Sequence, residues 1–179
     1  MTLRVLGVDP GLRVTGYAAI ESAGRGLRLI EAGIVEPDPK GSLEVRLLAL
    51  HRGLADAVAA TQPHVVVIEE LFSNYKNPLT AVMMGHARGV LCLAAAQHRV
   101  VVRSLGHSHV KRALTGSGAA RKEQVKAMVT HLLGLRRAPE PDDLSDALAL
   151  AVAFVNIREH EARVPGALSI VRARRRRVQ

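Results

Sequence analysis

Apolar residues alternate with polar ones, or run without interruption, in five short segments of the chain, and this pattern predicts β-strands. The segments cover residues 3–9, 14–21, 27–35, 65–68 and 100–104. Turns that contain glycine join the first three segments, which predicts an antiparallel meander. The fourth segment is wholly apolar, so we expect it at the buried centre of the sheet.

Other segments carry apolar residues at intervals of three and four positions, which is the period of an α-helix. The predicted helices cover residues 42–60, 77–97, 108–114, 121–133 and 142–157. Asn77 and Pro78 suit the start of the second helix, as its cap and as a first-turn residue. The order of the elements predicts an α/β fold in which helices flank a mixed five-stranded sheet.

The length of 179 residues is enough for one domain with its own core. Beyond Arg158 the chain is polar and basic, so we expect a folded domain over 1–158 and a flexible tail over 159–179. Cys92 is the single cysteine, which excludes an intrachain disulfide. The chain starts without an apolar signal core, and the apolar run 90–96 is too short to cross a bilayer. These features predict a cytoplasmic protein without membrane contact.

An excess of positive charge indicates a polyanionic partner such as a nucleic acid. The sequence has 25 Lys and Arg residues against 16 Asp and Glu residues, a net charge of +9. Five of these cations are arginines between residues 172 and 177, and the rest of the chain stays mildly basic without them. Solubility is the plain alternative explanation for such a charge.

Carboxylates stand at the ends of two predicted strands and at the start of the last helix. Asp9 ends the first strand before Pro10-Gly11, Glu69 follows the fourth, and Asp143 and Asp146 lie one helical turn apart. Local preferences also favour an Asp before a turn and acids at a helix start, but they do not explain four acids meeting at one place. If the first and fourth strands are neighbours, both strand-end acids leave the sheet at one edge. Clustered carboxylates repel unless cations intervene, and hard divalent ions prefer oxygen ligands, so this pattern predicts a metal-dependent nuclease.

Four short motifs follow one another along the chain with a characteristic spacing. They are Gly7-Val8-Asp9-Pro10-Gly11, Ile68-Glu69-Glu70-Leu71-Phe72, Gly85-His86-Ala87-Arg88-Gly89 and Asp143-Leu144-Ser145-Asp146-Ala147. In this order they resemble the motifs of RuvC-type Holliday junction resolvases, which are crossover junction endodeoxyribonucleases. The resemblance covers residues 3–157 and implies a ribonuclease H-like fold.

The resemblance implies a catalytic centre of four acids with two Mg²⁺ ions, for which Mn²⁺ can substitute. The residues to which catalysis and metal binding carry over are Asp9, Glu69, Asp143 and Asp146. Family members vary at the position of Asp143, where some carry His. Alternation along the strand points Glu70 to the opposite side, and family spacing favours Asp143 over Asp142. We therefore interpret Glu70 and Asp142 as surface charges.

The resemblance also implies DNA contacts beside this centre. An aromatic residue at the position of Phe72 stacks on bases at the junction crossover, and Tyr75 lies three residues further on. Lys111 and Lys122 match lysines that approach the DNA backbone near the cut, and Arg121 extends this basic patch. The plain alternatives are an aromatic anchor buried in the core and solvated surface cations.

The implied function is the resolution of four-way DNA junctions by paired symmetric nicks in recombination and DNA repair. Because a four-way junction has two-fold symmetry, we expect a homodimer with two active sites. The resemblance further implies a handover from the RuvA–RuvB branch-migration complex.

Three other functions fit part of the sequence. An actin-like ATPase or sugar kinase also begins a phosphate loop with an Asp-x-Gly motif such as Asp9-Pro10-Gly11, but such proteins need two lobes to enclose a nucleotide. A non-catalytic junction-binding module would not require the acids. A related ribonuclease H-like nuclease would act on another nucleic acid.

Overall fold

The fold is built on a single sheet whose strands and helices follow the predicted order. The computed structural model describes residues 2–24, 26–71 and 77–163. The strands of this part of the chain are β1 (Leu3–Asp9), β2 (Thr15–Ala23), β3 (Gly26–Val35), β4 (Val65–Glu69) and β5 (Val101–Leu105). Its helices are α1 (Leu43–Thr61), α2 (Pro78–Gln97), α3 (His107–Thr115), α4 (Lys122–Leu132) and α5 (Asp142–Arg163). The predicted α/β class is confirmed.

The sheet has the strand order β3-β2-β1-β4-β5. β1, β2 and β3 pair antiparallel, as the predicted meander requires, whereas β4 lies parallel to both β1 and β5. In the register of β1 and β4, Val8 is opposite Ile68. The next residues along these two strands are Asp9 and Glu69, so both carboxylates leave the sheet at the same edge.

Two hydrophobic cores cover the two faces of the sheet. One lies between the sheet and α3, α4 and α5, and the other between the sheet and α1 and α2. Val5 and Val67 face the first core, whereas Leu6 and Val66 face the second. Since side chains alternate along a strand, Asp9 and Glu69 fall on the face that α5 covers. β4 is an interior strand between β1 and β5, whereas β1 is the central one, and the four apolar residues of β4 are buried as its sequence predicts.

Helix α2 is capped as the sequence predicts, because the Asn77 side chain accepts a hydrogen bond of 2.9 Å from the Leu79 N–H. The side chains that bury against the sheet are Ala87, Leu91, Ala94 and Ala95. Within the described residues, α2 is the one helix long and apolar enough to cross a membrane. Core helices of water-soluble proteins meet the same criterion, and one face of α2 packs on the sheet.

The last helix is longer than its sequence pattern predicts. α5 continues to Arg163, six residues beyond the predicted end at Ile157. Ion pairs between Arg158 and Glu161 and between Glu159 and Arg163 stabilise these final turns. Residues 164–179 lie outside the described part of the chain, so the division into a domain over 1–158 and a tail over 159–179 stays a prediction.

Two glycines let α5 cross the sheet in direct backbone contact. A Cβ atom on Gly7 of β1 would lie 2.1 Å from the carbonyl oxygen of Ala147, and one on Gly16 of β2 would lie 2.1 Å from that of Asp143. Both distances are far shorter than any real contact, and the clashing atoms belong to the helix backbone. The absence of side chains at Gly7 and Gly16 therefore brings the start of α5 close to the end of β1.

We expect Gly7→Ala to lower the free energy of unfolding by about 1–3 kcal/mol, because the added methyl group must push α5 away from β1. Thermal unfolding measures this as a lower Tm, at about 2–4 °C per kcal/mol for a chain of this size. Gly26→Ala is the matched control, since its new methyl group would come no closer than 4.0 Å to Ala23. Equal Tm values for the two variants would contradict this account of the packing.

Candidate active site

Asp9 is fixed by the tight turn that follows β1. The Thr15 hydroxyl donates to the carbonyl oxygen of Gly11 at 2.7 Å and accepts from the Gly11 N–H at 3.1 Å. Thr15 is 1% exposed, so these hydrogen bonds are shielded from water. The turn between β1 and β2 is therefore held in one conformation, and it orients the Asp9 carboxylate at the sheet edge.

Glu69 is held through both its backbone and its side chain. The Arg88 guanidinium of α2 donates to the carbonyl oxygen of Glu69 at 3.1 Å and to the Ser104 hydroxyl at 2.6 Å, which ties the ends of β4 and β5 together. Nδ1 of His107, the first residue of α3, lies 2.9 Å from Oε1 of Glu69. These contacts leave the Glu69 carboxylate little freedom to turn away from the sheet edge.

Asp143 and Asp146 lie in the first two turns of α5, three residues apart. The close approach at Gly16 sets the position of Asp143, because the backbone of that residue touches β2 directly. Oδ2 of Asp146 accepts a hydrogen bond of 2.9 Å from Nζ of Lys122, the first residue of α4. The start of α5 thus presents its acids towards the edge where β1 and β4 end.

The pKa of Asp9 is raised by its burial and by the other three acids. Burial raises this pKa first, repulsion from Glu69, Asp146 and Asp143 adds to it, and a hydrogen bond with the Glu69 carboxyl contributes further, so that it reaches about 8 instead of 3.8. Burial and nearby negative charge both disfavour the ionised form of a carboxyl group, so each raises its pKa. The predicted convergence of these four residues agrees with this electrostatic coupling.

Side chains of neighbouring elements already contact two of these carboxylates. Among residues 2–24, 26–71 and 77–163, no three His, Cys, Asp or Glu side chains are arranged to hold a metal ion directly. Lys122 is bonded to Asp146, and the His107 ring contacts Glu69. The four acids offer carboxylate oxygens as ligands and together carry an excess of negative charge. Both features suit a hard divalent cation.

Two of the predicted basic residues line a cleft beside this centre. Lys111 and Lys122 line a small cleft together with Glu69, His107 and Asp146. Burial lowers the pKa of Lys122, but hydrogen bonds to Asp146 and Asp142 outweigh it and raise the pKa above its ordinary value. Lys122 therefore stays cationic at neutral pH.

The other residues predicted to contact DNA lie outside this cleft or outside the described residues. Arg121 is exposed immediately before α4, and its backbone N–H donates to the Gln124 side chain at 2.8 Å. Phe72 and Tyr75 lie outside the described residues, so their roles remain predictions.

Sequence reasoning missed two residues that support the site and misjudged a third. His107 and Arg88 both hold Glu69, although neither was predicted to do so. Asp142 is exposed, as predicted for a surface charge, yet it is not isolated, because it pairs with both Lys122 and Lys126. Glu70 is exposed, in agreement with its interpretation as a surface charge. The position of His107 was a usable signal, since it starts a helix directly after a parallel strand at the same sheet edge.

Comparisons with known proteins agree with this geometry. The family model described as "Crossover junction endodeoxyribonuclease RuvC" matches residues 5–154. The crossover junction endodeoxyribonuclease RuvC of Rhodopirellula baltica is 43% identical over 148 residues, which are 83% of this chain and 83% of that protein.

Solved structures show the same fold. The structure of Thermus thermophilus RuvC is 32% identical and has a TM-score of 0.83, with 88% of this chain and 96% of that chain covered. A structure of Thermus thermophilus RuvC in complex with a Holliday junction substrate is 31% identical and has a TM-score of 0.80 over the same shares of the two chains. Sequence and fold agree over most of the chain, and the chain belongs to the RuvC family of crossover junction endodeoxyribonucleases.

Proposed function

We propose that this protein is an endonuclease that resolves four-way DNA junctions by paired symmetric nicks in recombination and DNA repair. Membership of the RuvC family supports this function for the chain as a whole. The single observation that supports the proposed chemistry is the raised pKa of Asp9. Repulsion from Glu69, Asp143 and Asp146 contributes to this rise, which links Asp9 to these three acids. A cytoplasmic location follows from the proposed DNA substrate.

The four carboxylates are the proposed ligands of two Mg²⁺ ions, for which Mn²⁺ can substitute. Their oxygen atoms match the preference of these hard cations. When bound, such ions stabilise the charge that develops on the attacking and leaving oxygens of a phosphodiester. Hydrolysis in this manner leaves a 5′-phosphate and a 3′-hydroxyl.

The side chains around the acids have separate tasks in this proposal. Lys111 and Lys122 line the cleft beside Glu69 and Asp146, where a phosphate group of the cut strand would contact their cationic nitrogen atoms. His107 holds the Glu69 carboxylate in place. Phe72, Tyr75 and Arg121 remain proposed contacts to the junction DNA outside this cleft.

A two-fold dimer fits the outer face of α2. Exposed residues recur there at alternating intervals of three and four positions, which is the spacing of a helix seam. They are Leu79, Val82, His86, Gly89 and Leu93. Leu79, Val82 and Leu93 are each more than half exposed. Among the described residues, a Cβ on Gly89 would meet no atom within 4 Å beyond its own stretch of helix. A second copy of α2 would cover this seam and would give the assembly two active sites.

The proposed partners are four-way junction DNA, a second copy of this chain and the RuvA–RuvB branch-migration complex. The basic charge of the chain supports the DNA partner. Association with RuvA–RuvB follows from the family resemblance alone.

We expect Asp9→Asn to bind a labelled four-way junction normally and to cut it at least about 100-fold more slowly in Mg²⁺, because a metal ligand is lost. Binding is measured by gel shift in the absence of divalent cations, and cutting by the release of labelled product. Asp56→Asn on the remote helix α1 removes the same charge and should cut normally. If Asp9→Asn cuts at the full rate, the active site lies elsewhere. If the folded variant no longer binds the junction, Asp9 is needed for binding and not for cutting alone, which contradicts the proposed role.

The same substitution has a predictable effect on stability. The pKa of Asp9 is about 8 in the folded protein and near 3.8 in the unfolded chain, so its stabilising effect is complete below pH 4 and is lost as the pH rises towards 8. In EDTA, the Tm advantage of Asp9→Asn over the unsubstituted protein should therefore grow between pH 5 and pH 8, to at least about 3 °C. Thermal unfolding across this range measures it. A constant difference would show that Asp9 titrates normally.

We expect Leu93→Asp to convert a dimer into a monomer, because a carboxylate would be buried in the seam of α2. Light scattering after size exclusion measures the mass. Leu48→Asp on α1 is the control, since Leu48 is exposed to a similar degree, 46% against 51%. A dimer that survives Leu93→Asp would place the interface elsewhere.

A further inference from the structure

The Lys122 ammonium group lies between two carboxylates at the mouth of the site. Its Nζ atom is 2.9 Å from Oδ2 of Asp146 and 3.0 Å from Oδ2 of Asp142. Asp146 is one of the four converging acids, whereas Asp142 lies at the first position of α5, outside that group. Lys126, one turn further along α4, contacts the other carboxylate oxygen of Asp142.

The two carboxylates that contact Lys122 differ in their exposure to solvent. The Asp142 side chain is 61% exposed and that of Asp146 is 30% exposed, so Lys122 connects an inner carboxylate to an outer one. A lysine ammonium group has three donors on a flexible stem, so it can shift between two acceptors without leaving both. Asp142 is thus a second partner for Lys122 on the solvent side of the cleft.

We propose that Asp142 is a positioning residue that draws Lys122 outward, so that Asp146 becomes available to a divalent cation while Lys122 stays at the mouth of the cleft. This inference rests on the proposed function, since it assumes that Asp146 binds such a cation. Lys122 and the cation compete for Asp146. Displacing Lys122 from Asp146 requires less free energy when the lysine has another carboxylate nearby. Without Asp142, Lys122 would keep only Asp146 of these two carboxylate partners.

A simple field effect must be separated from this positioning role. Removing any negative charge near a cation site weakens cation binding to some extent through space. If Asp142 acts by holding Lys122, its effect must disappear when Lys122 is removed, whereas a field effect must persist. A double-mutant cycle between Asp142 and Lys122 makes this distinction.

The test is a Mg²⁺ titration of the full chain without DNA, followed by calorimetry and by the rise in Tm. We expect Asp142→Asn to raise the Mg²⁺ concentration at half-saturation by about two- to five-fold, the range expected for an exposed ion pair. In a Lys122→Gln background the same substitution should change that concentration by less than about 1.5-fold. Cutting of a four-way junction should show the same shift in its Mg²⁺ requirement.

Two further variants complete the design. Glu123→Gln removes an exposed carboxylate next to Lys122 in sequence, and among the described residues Glu123 forms no ion pair, so it should leave Mg²⁺ binding unchanged. Asp142→Glu keeps the carboxylate and should restore most of the affinity that Asp142→Asn loses. Tm values without Mg²⁺ verify that each variant is folded.

Each result has one meaning. An equal shift for Asp142→Asn with and without Lys122, or no shift at all, would overturn the positioning role. If the unsubstituted protein neither binds Mg²⁺ nor cuts junctions, the proposed function itself is wrong. If the unsubstituted protein does both and the cycle shows no coupling, only the inference about Asp142 fails.

Discussion

Repulsion among four carboxylates is the constraint on which the rest of the structure depends. Asp9 and Glu69 reach one edge of the sheet because β1 and β4 are parallel neighbours. Helix α5 brings Asp143 and Asp146 to the same edge, because at two glycines no side chain separates its backbone from the sheet. The electrostatic cost appears in the pKa of Asp9, which burial and the other three acids raise to about 8. A folded chain keeps such an arrangement only if the packing of its cores outweighs the repulsion, and both faces of this sheet are covered by buried apolar residues.

Side chains of neighbouring elements hold two of these acids in place. Lys122 is bonded to Asp146, the His107 ring contacts Glu69, and Arg88 holds the backbone of Glu69 in place. All three contacts steady the acids, and the cationic Lys122 also brings positive charge to the cleft. Asp142 adds an outer partner for Lys122, whose Nζ atom lies 3.0 Å from Oδ2 of Asp142.

Sequence reasoning predicted the sheet and the order of the helices, because each depends on patterns along one segment, and the family motifs singled out the four acids. Alternation places Asp9 and Glu69 on the face of α5 once the strand order is known. The contacts of His107, Arg88 and Asp142 depend instead on side-chain distances between elements far apart in sequence, which no periodicity records. The predicted end of α5 at Ile157 was wrong for a related reason. Residues 158–163 are polar except for Ala162, and their helical turns depend on ion pairs such as that between Glu159 and Arg163. Phe72 and Tyr75 lie outside the described residues, so their predicted contacts with DNA stay open to experiment.

The central claim is that Asp9 shares one charged centre with Glu69, Asp143 and Asp146. An NMR titration of the Asp9 side-chain carboxyl carbon, in protein freed of divalent cations, measures that coupling directly. The account predicts a midpoint near pH 8 for Asp9, and a fall in that midpoint when Mg²⁺ is added. A midpoint near the ordinary value of 3.8, unchanged by Mg²⁺, would contradict it.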